Sequence, residues 1–218
     1  MHRIHWSIAA AALLAAVGLL PAQQALAQEA PDELVKSVAE DVLAIVRQDR
    51  ALREGDTSRM AQLIEEKIVP HFDFERMTRL AVGRAWRQAT PEQRKQLIEE
   101  FRRLLVRSYS AAYSTYNHIV VEVKPLKLRP GEDDVQVKTL IKLPGGAPPI
   151  SVDYSMVNTN PDWKVYDVTV DGISLVTTYR STFAEEVNRS GIDGLIKSLV
   201  ALNAVKTTQR PVGAARRE

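Results

Sequence analysis

One carboxylate stands out among the residues of this sequence that could do chemistry. Asp167 lies in the alternating segment Trp163–Val168, and strict alternation would place it on the same face as Trp163 and Val165. A carboxylate that faces an apolar cavity can act as a general base. A single carboxylate without a partner is a poor catalytic constellation. A hydrogen bond from a backbone amide or a basic side chain at the sheet margin is therefore the simpler interpretation.

The other side chains that could do chemistry are few. The chain has no cysteine, which excludes disulfides, thiolate metal sites and a cysteine nucleophile. It also has no His-x-x-x-His spacing, no glycine-rich phosphate loop and no Gly-x-Ser-x-Gly sequence. We interpret His71 and His118, at the edges of predicted elements, as surface or capping residues. The sequence therefore predicts neither an enzyme nor a bound metal or cofactor.

The composition is that of a globular protein with balanced charge. The 218 residues are 45% hydrophobic and 26% charged, as in ordinary folded domains. Lys and Arg number 29 and Asp and Glu number 27, so the net charge is only +2. This balance gives no electrostatic support for nucleic-acid binding.

Residues 1–27 have the features of a cleavable secretory signal. Arg3 precedes an uncharged apolar run from Ile8 to Leu20, and Ala25-Leu26-Ala27 is a small-x-small cleavage site. The run has 13 residues, whereas a membrane-spanning helix needs roughly 20, so an anchor is the less favoured alternative. We predict an exported chain that begins at Gln28.

The rest of the chain is patterned as helices, then strands, then helices. Apolar residues at three- and four-residue spacing predict helices at about 32–53, 57–69, 72–82, 91–116, 174–190 and 192–202. Thr90-Pro91-Glu92-Gln93 is a capping box at the start of the longest of these. Period-two alternation with short turns predicts four antiparallel strands, the last of them ending near Val170.

The predicted fold is α+β, with a curved four-stranded antiparallel sheet and helices on one of its faces. We expect a single domain over 28–203, with a helical part at about 32–117, the sheet at about 118–173 and C-terminal helices at about 174–203. The basic residues of 204–218 should form a disordered tail. Helices on a curved sheet often leave an apolar cavity between the layers, and we expect the functional site there.

Several motifs in this order and spacing resemble one protein family. The motifs are PHFDF at 70–74, LAVGRAW at 80–86, ATPEQR at 89–94, FRRLLVRSY at 101–109, WKVYDV at 163–168, DGISLV at 171–176, YRSTF at 179–183 and GIDGLI at 191–196. Together they resemble the MlaC family, also called toluene-tolerance (Ttg2-type) proteins. The resemblance extends over about residues 32–202.

This resemblance implies a periplasmic phospholipid carrier of Gram-negative bacteria with an NTF2-like sheet. Family members shuttle diacyl lipid between an outer-membrane lipoprotein–porin complex and the MCE-domain ring of an inner-membrane ABC transporter. This Mla pathway maintains outer-membrane lipid asymmetry. Phospholipid would be the cargo rather than a cofactor, and we expect a monomer. By motif position, Tyr109 and Ile173 correspond to cavity residues.

We expect ten residues to contact the lipid, from this resemblance and from the alternation of the strands and helices. They are Tyr109, Tyr113, Ile150, Val152, Tyr154, Val165, Val168, Ile173, Leu175 and Phe183. Ordinary core packing is the alternative for each of them.

Two other functions remain open at this point. One is an NTF2-like cavity enzyme with Asp167 as the base, which would need a second titratable group in the cavity. The other is a non-catalytic interaction module of the cell envelope, whose interior would be solidly packed. Arg84, Arg87 and Arg94 form a basic cluster near a helix junction, which we interpret as a solvated face.

Overall fold

A computed structural model describes residues 28–113 and 119–205, and only the backbone of 111–113. The helices are α1 Pro31–Gln48, α2 Arg50–Arg53, α3 Thr57–Lys67, α4 Phe74–Val82, α5 Pro91–Tyr113 and α6 Leu175–Ala204, with 3₁₀ turns at Val69–His71, Gly83–Arg87 and Pro144–Gly146. The strands are β1 Val120–Val123, β2 Asp134–Lys142, β3 Ile150–Asn158, β4 Trp163–Val170 and β5 Ile173–Ser174. The predicted signal, His118 and the tail from residue 206 lie outside the described residues.

Local capping residues set several helix boundaries. The helix predicted over 32–53 is divided at Asp49, whose carboxylate accepts hydrogen bonds from the amides of Ala51 (2.9 Å) and Leu52 (3.3 Å). These bonds satisfy the first free amides of a new helix, so α2 begins there. The predicted capping box is confirmed. The Thr90 amide donates to the Gln93 side-chain oxygen (3.0 Å), and the Gln93 amide donates to the Thr90 hydroxyl (3.2 Å).

The strands form one open antiparallel sheet in the order β1-β2-β3-β4-β5. The four predicted strands are present, and the two-residue β5 was not predicted. It pairs with the end of β4 through the turn Asp171-Gly172, where φ is 46° and 83°. Positive φ at both turn residues is typical of a tight hairpin, for which Asp-Gly is a strong sequence signal. That signal could have predicted β5.

A β-bulge changes which face the residues of β4 present. Asp167 lies opposite Ser155, but Val165 lies opposite Met156, so Tyr166 is an extra residue in β4. A single extra residue moves every later side chain to the other face. The prediction that Asp167 shares a face with Val165 was therefore wrong.

The helices cover the sheet face that carries most of its apolar residues. Val137, Met156 and Trp163 are buried on this inner face, where Leu34 and Val35 of α1 pack against them. The outer face is polar, and the Lys142 ammonium pairs there with the Glu122 carboxylate at 2.7 Å. This arrangement is typical of an antiparallel sheet with one face toward the core and one toward water.

Two further apolar clusters lie among the helices. One joins α4, α5 and α6 around Phe101, Leu195 and Leu199, and the other joins α1, α2, α3 and α5 around Leu52 and Met60. Helix α6 is broken at Gly191, as predicted, where φ is 71° and ψ is −174°. In the described ranges no helix is both long enough and apolar enough to cross a membrane.

Candidate functional site

A cavity of about 320 Å³ lies between the inner face of the sheet and the helices. It lies where the three apolar clusters meet. Its wall includes Met77 and Leu105 from the first helical cluster, Met60 from the second helical cluster and Met156 from the sheet cluster. The volume lies within the range of small-molecule pockets, roughly 300–1,000 Å³.

Seven of the ten predicted site residues line this cavity. They are Tyr109, Ile150, Val152, Tyr154, Val165, Val168 and Leu175. Val165 and Val168 both face it, although they are three positions apart in the strand, because the bulge lies between them. Their contact with a lipid stays a prediction. Tyr113 is the last residue of α5, and its side chain lies outside the described part of the structure.

Two of the predicted residues do not line the cavity. Ile173 lies in β5 opposite Val170, and it is 48% exposed because β5 is the edge strand of the described sheet and no further strand covers it. Phe183 is buried between helices, with its ring centroid 5.1 Å from that of Phe101. Helix α6 packs mainly on α4 and α5 rather than over the sheet, so Phe183 fills the core between helices.

Helix α1 contributes a wall of the cavity that was not predicted from the sequence. The helix lines one wall with Leu34, Val35, Val38, Ala39, Val42, Leu43 and Val46. The apolar stripe of α1 was visible in the sequence, but it was not assigned to the site. The apolar stripe of α1 is wider than a helix needs in order to pack against one neighbouring helix. This width was the feature of the sequence that could have indicated a cavity wall.

Among the described residues, the cavity wall contains no group that carries a full charge at neutral pH. None of its described lining residues is Asp, Glu, Lys or Arg. His71 lines it and is half-buried, and burial together with the nearby Lys164 ammonium lowers the pKa of the imidazole. Because the neutral imidazole is favoured, His71 adds little charge to the wall. This interior suits hydrocarbon rather than an ionic ligand.

Asp167 has a structural role away from the cavity. One carboxylate oxygen accepts hydrogen bonds from the amides of Val168 (2.8 Å) and Val176 (3.1 Å), and the other accepts from the Ser174 hydroxyl (2.6 Å). These contacts tie β4 to the first turn of α6. With both oxygens engaged outside the cavity, Asp167 is not the base of a cavity enzyme.

No metal centre is evident in the part of the chain that is described. It has no group of three or more His, Asp or Glu side chains positioned to hold an ion. The described site therefore consists of an apolar cavity, with the tyrosines Tyr109 and Tyr154 and the imidazole of His71 as the polar-tipped side chains in its wall.

Comparisons with known proteins agree on one family. The model of the MlaC protein family matches residues 36–201. A solved structure of the phospholipid-binding protein from Ralstonia solanacearum, in complex with a phospholipid, superposes with a TM-score of 0.73 at 37% identity. The superposition covers 82% of this chain and 97% of that one.

Two curated relatives match over most of their length. Toluene tolerance protein ttg2D of Pseudomonas putida is 26% identical over 183 residues, which is 83% of this chain and 82% of the relative. The intermembrane phospholipid transport system binding protein MlaC of Haemophilus influenzae is 20% identical over 182 residues, 83% and 85% of the two chains. These matches confirm the resemblance seen in the motifs, and the chain belongs to the MlaC family.

Proposed function

We propose that this protein binds a phospholipid by its acyl chains and carries it through the aqueous periplasm as part of a Mla-type system. The observation that carries this proposal is the charge-free apolar cavity, since a relative of the same fold at 37% identity is described in complex with a phospholipid. The seven predicted residues in the cavity wall, together with α1, would contact the chains.

The energetics of acyl chains require a cavity of this kind. Burial of a methylene is worth about 0.8 kcal/mol, so two chains of roughly 15 methylenes each represent on the order of 25 kcal/mol in water. Scattered surface contacts could not supply this free energy. An apolar cavity can contribute to it, because each methylene that enters the cavity leaves water.

The remaining features of the proposal come from the sequence and the family. We propose a monomer with a single NTF2-like domain over 28–203, exported by the signal at 1–27 and beginning at Gln28. It would exchange lipid with an outer-membrane lipoprotein–porin complex and with the MCE-domain ring of an inner-membrane ABC transporter. A headgroup that stays near water would need little recognition by the protein.

Native mass spectrometry of two matched variants tests the proposal. Ala39 faces the cavity from α1, whereas Ala44 on the same helix is exposed. The wild-type protein and Ala44→Phe should carry added mass that matches diacyl phospholipid. Ala39→Phe should lose most of this mass, because the ring takes the space of an acyl chain. Ala39→Leu, a smaller change, should show an intermediate loss.

Purification of only lipid-free wild-type protein, even after incubation with phospholipid membranes, would contradict lipid carriage. Equal lipid content in Ala39→Phe and Ala44→Phe would show that the lipid lies elsewhere. Circular dichroism of each variant separates loss of lipid from loss of fold. An interaction module without cargo is less well supported, because it does not account for the cavity.

A further inference from the structure

An exposed arginine surface covers the outer side of α4 and the 3₁₀ turn that follows it. The sequence has four arginines and no acidic residue between Arg76 and Pro91. Arg76 pairs with the Asp134 carboxylate at 2.7 Å. The other three, Arg79, Arg84 and Arg87, are exposed. The net charge of the whole chain is only +2, so the overall composition does not reveal this local excess of positive charge.

The arginines of α4 and of the turn that follows it lie on the side of these elements that faces away from the cavity. On α4, Phe74 and Met77 line the cavity while Arg79 is exposed. The turn Gly83–Arg87 is a 3₁₀ helix, in which residues three apart lie on the same side, so Arg84 and Arg87 project together. Trp86, between them in sequence, is buried.

Two other helices add guanidinium groups to this surface. Arg180 of α6 is exposed and donates a hydrogen bond from Nε to the Leu80 carbonyl at 2.9 Å. Arg94 of α5 donates from Nε to the Trp86 carbonyl at 3.2 Å. Both acceptors are neutral, so the positive charges are held in place without being compensated. We define the arginine surface as Arg79, Arg84, Arg87 and Arg180, with Arg94 at its border.

Several arginines on other surfaces of the molecule are paired with carboxylates. Arg50, Arg59 and Arg103 each pair with a carboxylate within 3.1 Å. Within the described ranges, Arg79, Arg84 and Arg87 form no ion pair and no side-chain hydrogen bond.

The acidic residues near the arginine surface form no ion pair with it in the part of the chain that the structure describes. Glu75 and Glu92 are exposed at the two ends of the segment, and Asp193 accepts a hydrogen bond from the Gln93 amide group at 2.6 Å. A positive surface that is left unpaired in this way attracts anions over a distance.

We propose that the arginine surface docks the protein reversibly on a membrane of anionic phospholipid headgroups, separately from the lipid held in the cavity. Guanidinium groups match phosphate oxygens with two parallel hydrogen bonds, and all members of this surface are arginines. It contains no exposed large hydrophobic residue; those of the described chain are Val120, Leu128, Ile173, Val200, Leu202 and Val205. Protein interfaces usually rely on aromatic or apolar anchors, so a headgroup layer is the better match.

Co-sedimentation with vesicles tests this docking. At roughly 0.01 M salt, where the screening length is about 30 Å, the protein should bind vesicles of phosphatidylcholine with phosphatidylglycerol but not pure phosphatidylcholine. The variant Arg79→Gln/Arg84→Gln/Arg87→Gln should bind the anionic vesicles roughly a hundredfold more weakly, given the usual contribution of each basic residue near such a surface. Raised salt should release the wild-type protein.

A matched control removes the same charge elsewhere. Arg47→Gln/Lys67→Gln/Arg129→Gln neutralises three exposed cations outside the arginine surface and should bind almost as well as the wild type. Equal losses in both triple variants would overturn the proposal, because net charge alone would then explain binding. No preference of the wild type for anionic vesicles would overturn it as well, and would leave an acidic protein as the alternative partner.

The two proposals can fail independently of each other. The arginine variant should retain its phospholipid in native mass spectrometry, because none of its substitutions touches the cavity wall. Conversely, Ala39→Phe should lose its cargo but still sediment with anionic vesicles. If either variant lost both its bound phospholipid and its binding to anionic vesicles, vesicle binding would reflect only the exchange of cargo. That result would overturn the proposal of a separate docking surface.

Discussion

At the scale of single residues, hydrogen-bond partners decide what a side chain can do. Asp167 was the best candidate for a catalytic base in the sequence, yet its two oxygens accept three hydrogen bonds from β4 and the start of α6. Ile173 was expected in the cavity and is exposed, while Phe183 was expected there and fills the core between helices. In each case the residue type was compatible with both roles.

Substitution of Asp167 tests its structural role. Asp167→Ala should lower the free energy of unfolding by about 2–3 kcal/mol, because two amides and a hydroxyl lose a charged acceptor. Urea denaturation measures this loss, and Asp167→Asn should restore part of it. Asp153→Ala on the neighbouring strand, where the carboxylate accepts one long hydrogen bond of 3.4 Å, should change stability by only about 0.5 kcal/mol. Equal stability of the Asp167 and Asp153 variants would contradict this role.

At the scale of elements, two irregularities position the walls of the site. The bulge at Tyr166 brings Val165 and Val168 to the same face of β4, which makes both available to the cavity. The break at Gly191 lets the two halves of α6 pack in different directions, with Phe183 in the first half and Leu195 in the second. Each irregularity is caused by a single residue.

The break in α6 depends on a backbone conformation that only glycine adopts readily. At Gly191 a Cβ atom would meet no neighbour within 4 Å, so the cost of a side chain is conformational. Gly191→Ala should therefore lower the free energy of unfolding by about 1–3 kcal/mol in urea denaturation. Asn188→Ala, at an exposed helical position nearby, is the control and should be neutral or slightly stabilising. An unchanged midpoint for Gly191→Ala would show that the break can straighten.

At the scale of the whole molecule, the cavity and the arginine surface occupy opposite sides of the same segment. Phe74 and Met77 face inward to the proposed cargo, and Arg79, Arg84 and Arg87 face outward. A carrier built in this way could approach an anionic membrane by charge while its cargo stays in an apolar interior. The absence of apolar anchors from that surface favours release after contact.

Bound lipid should stabilise the folded molecule. A ligand that binds only the folded state, at about 100 times its Kd, adds about 2.7 kcal/mol, which corresponds to a rise in Tm of about 5–10 °C for a chain of this size. Differential scanning fluorimetry of delipidated and reloaded protein measures the shift. Ala39→Phe should show little shift on reloading. The same Tm for delipidated and reloaded wild-type protein would mean that the folded cavity does not hold the lipid.

Most helices and strands, and the family, could be predicted from the sequence, although β5 and the division of the first helix at Asp49 were not. Helix periodicity, strand alternation, the Thr90–Gln93 capping box and the break at Gly191 are local features, and each is present in the structure. The motifs that carried the family resemblance are equally readable from the chain alone. These features could be predicted because each depends on residues close together in sequence.

The set of apolar residues that surround the cavity depends on how the helices and the sheet pack together. The periodicity of apolar residues indicates that one face of a helix is buried, but it does not indicate which element that face packs against. For this reason α1 was not predicted to line the cavity, and Phe183 was predicted there although it packs between helices. The extra residue in β4 reversed the faces after Val165, and strict alternation cannot reveal such a shift. The basic cluster of Arg84, Arg87 and Arg94 was visible in the sequence, but its extension by Arg180 appears only in the structure, because Arg180 comes from a distant part of the chain.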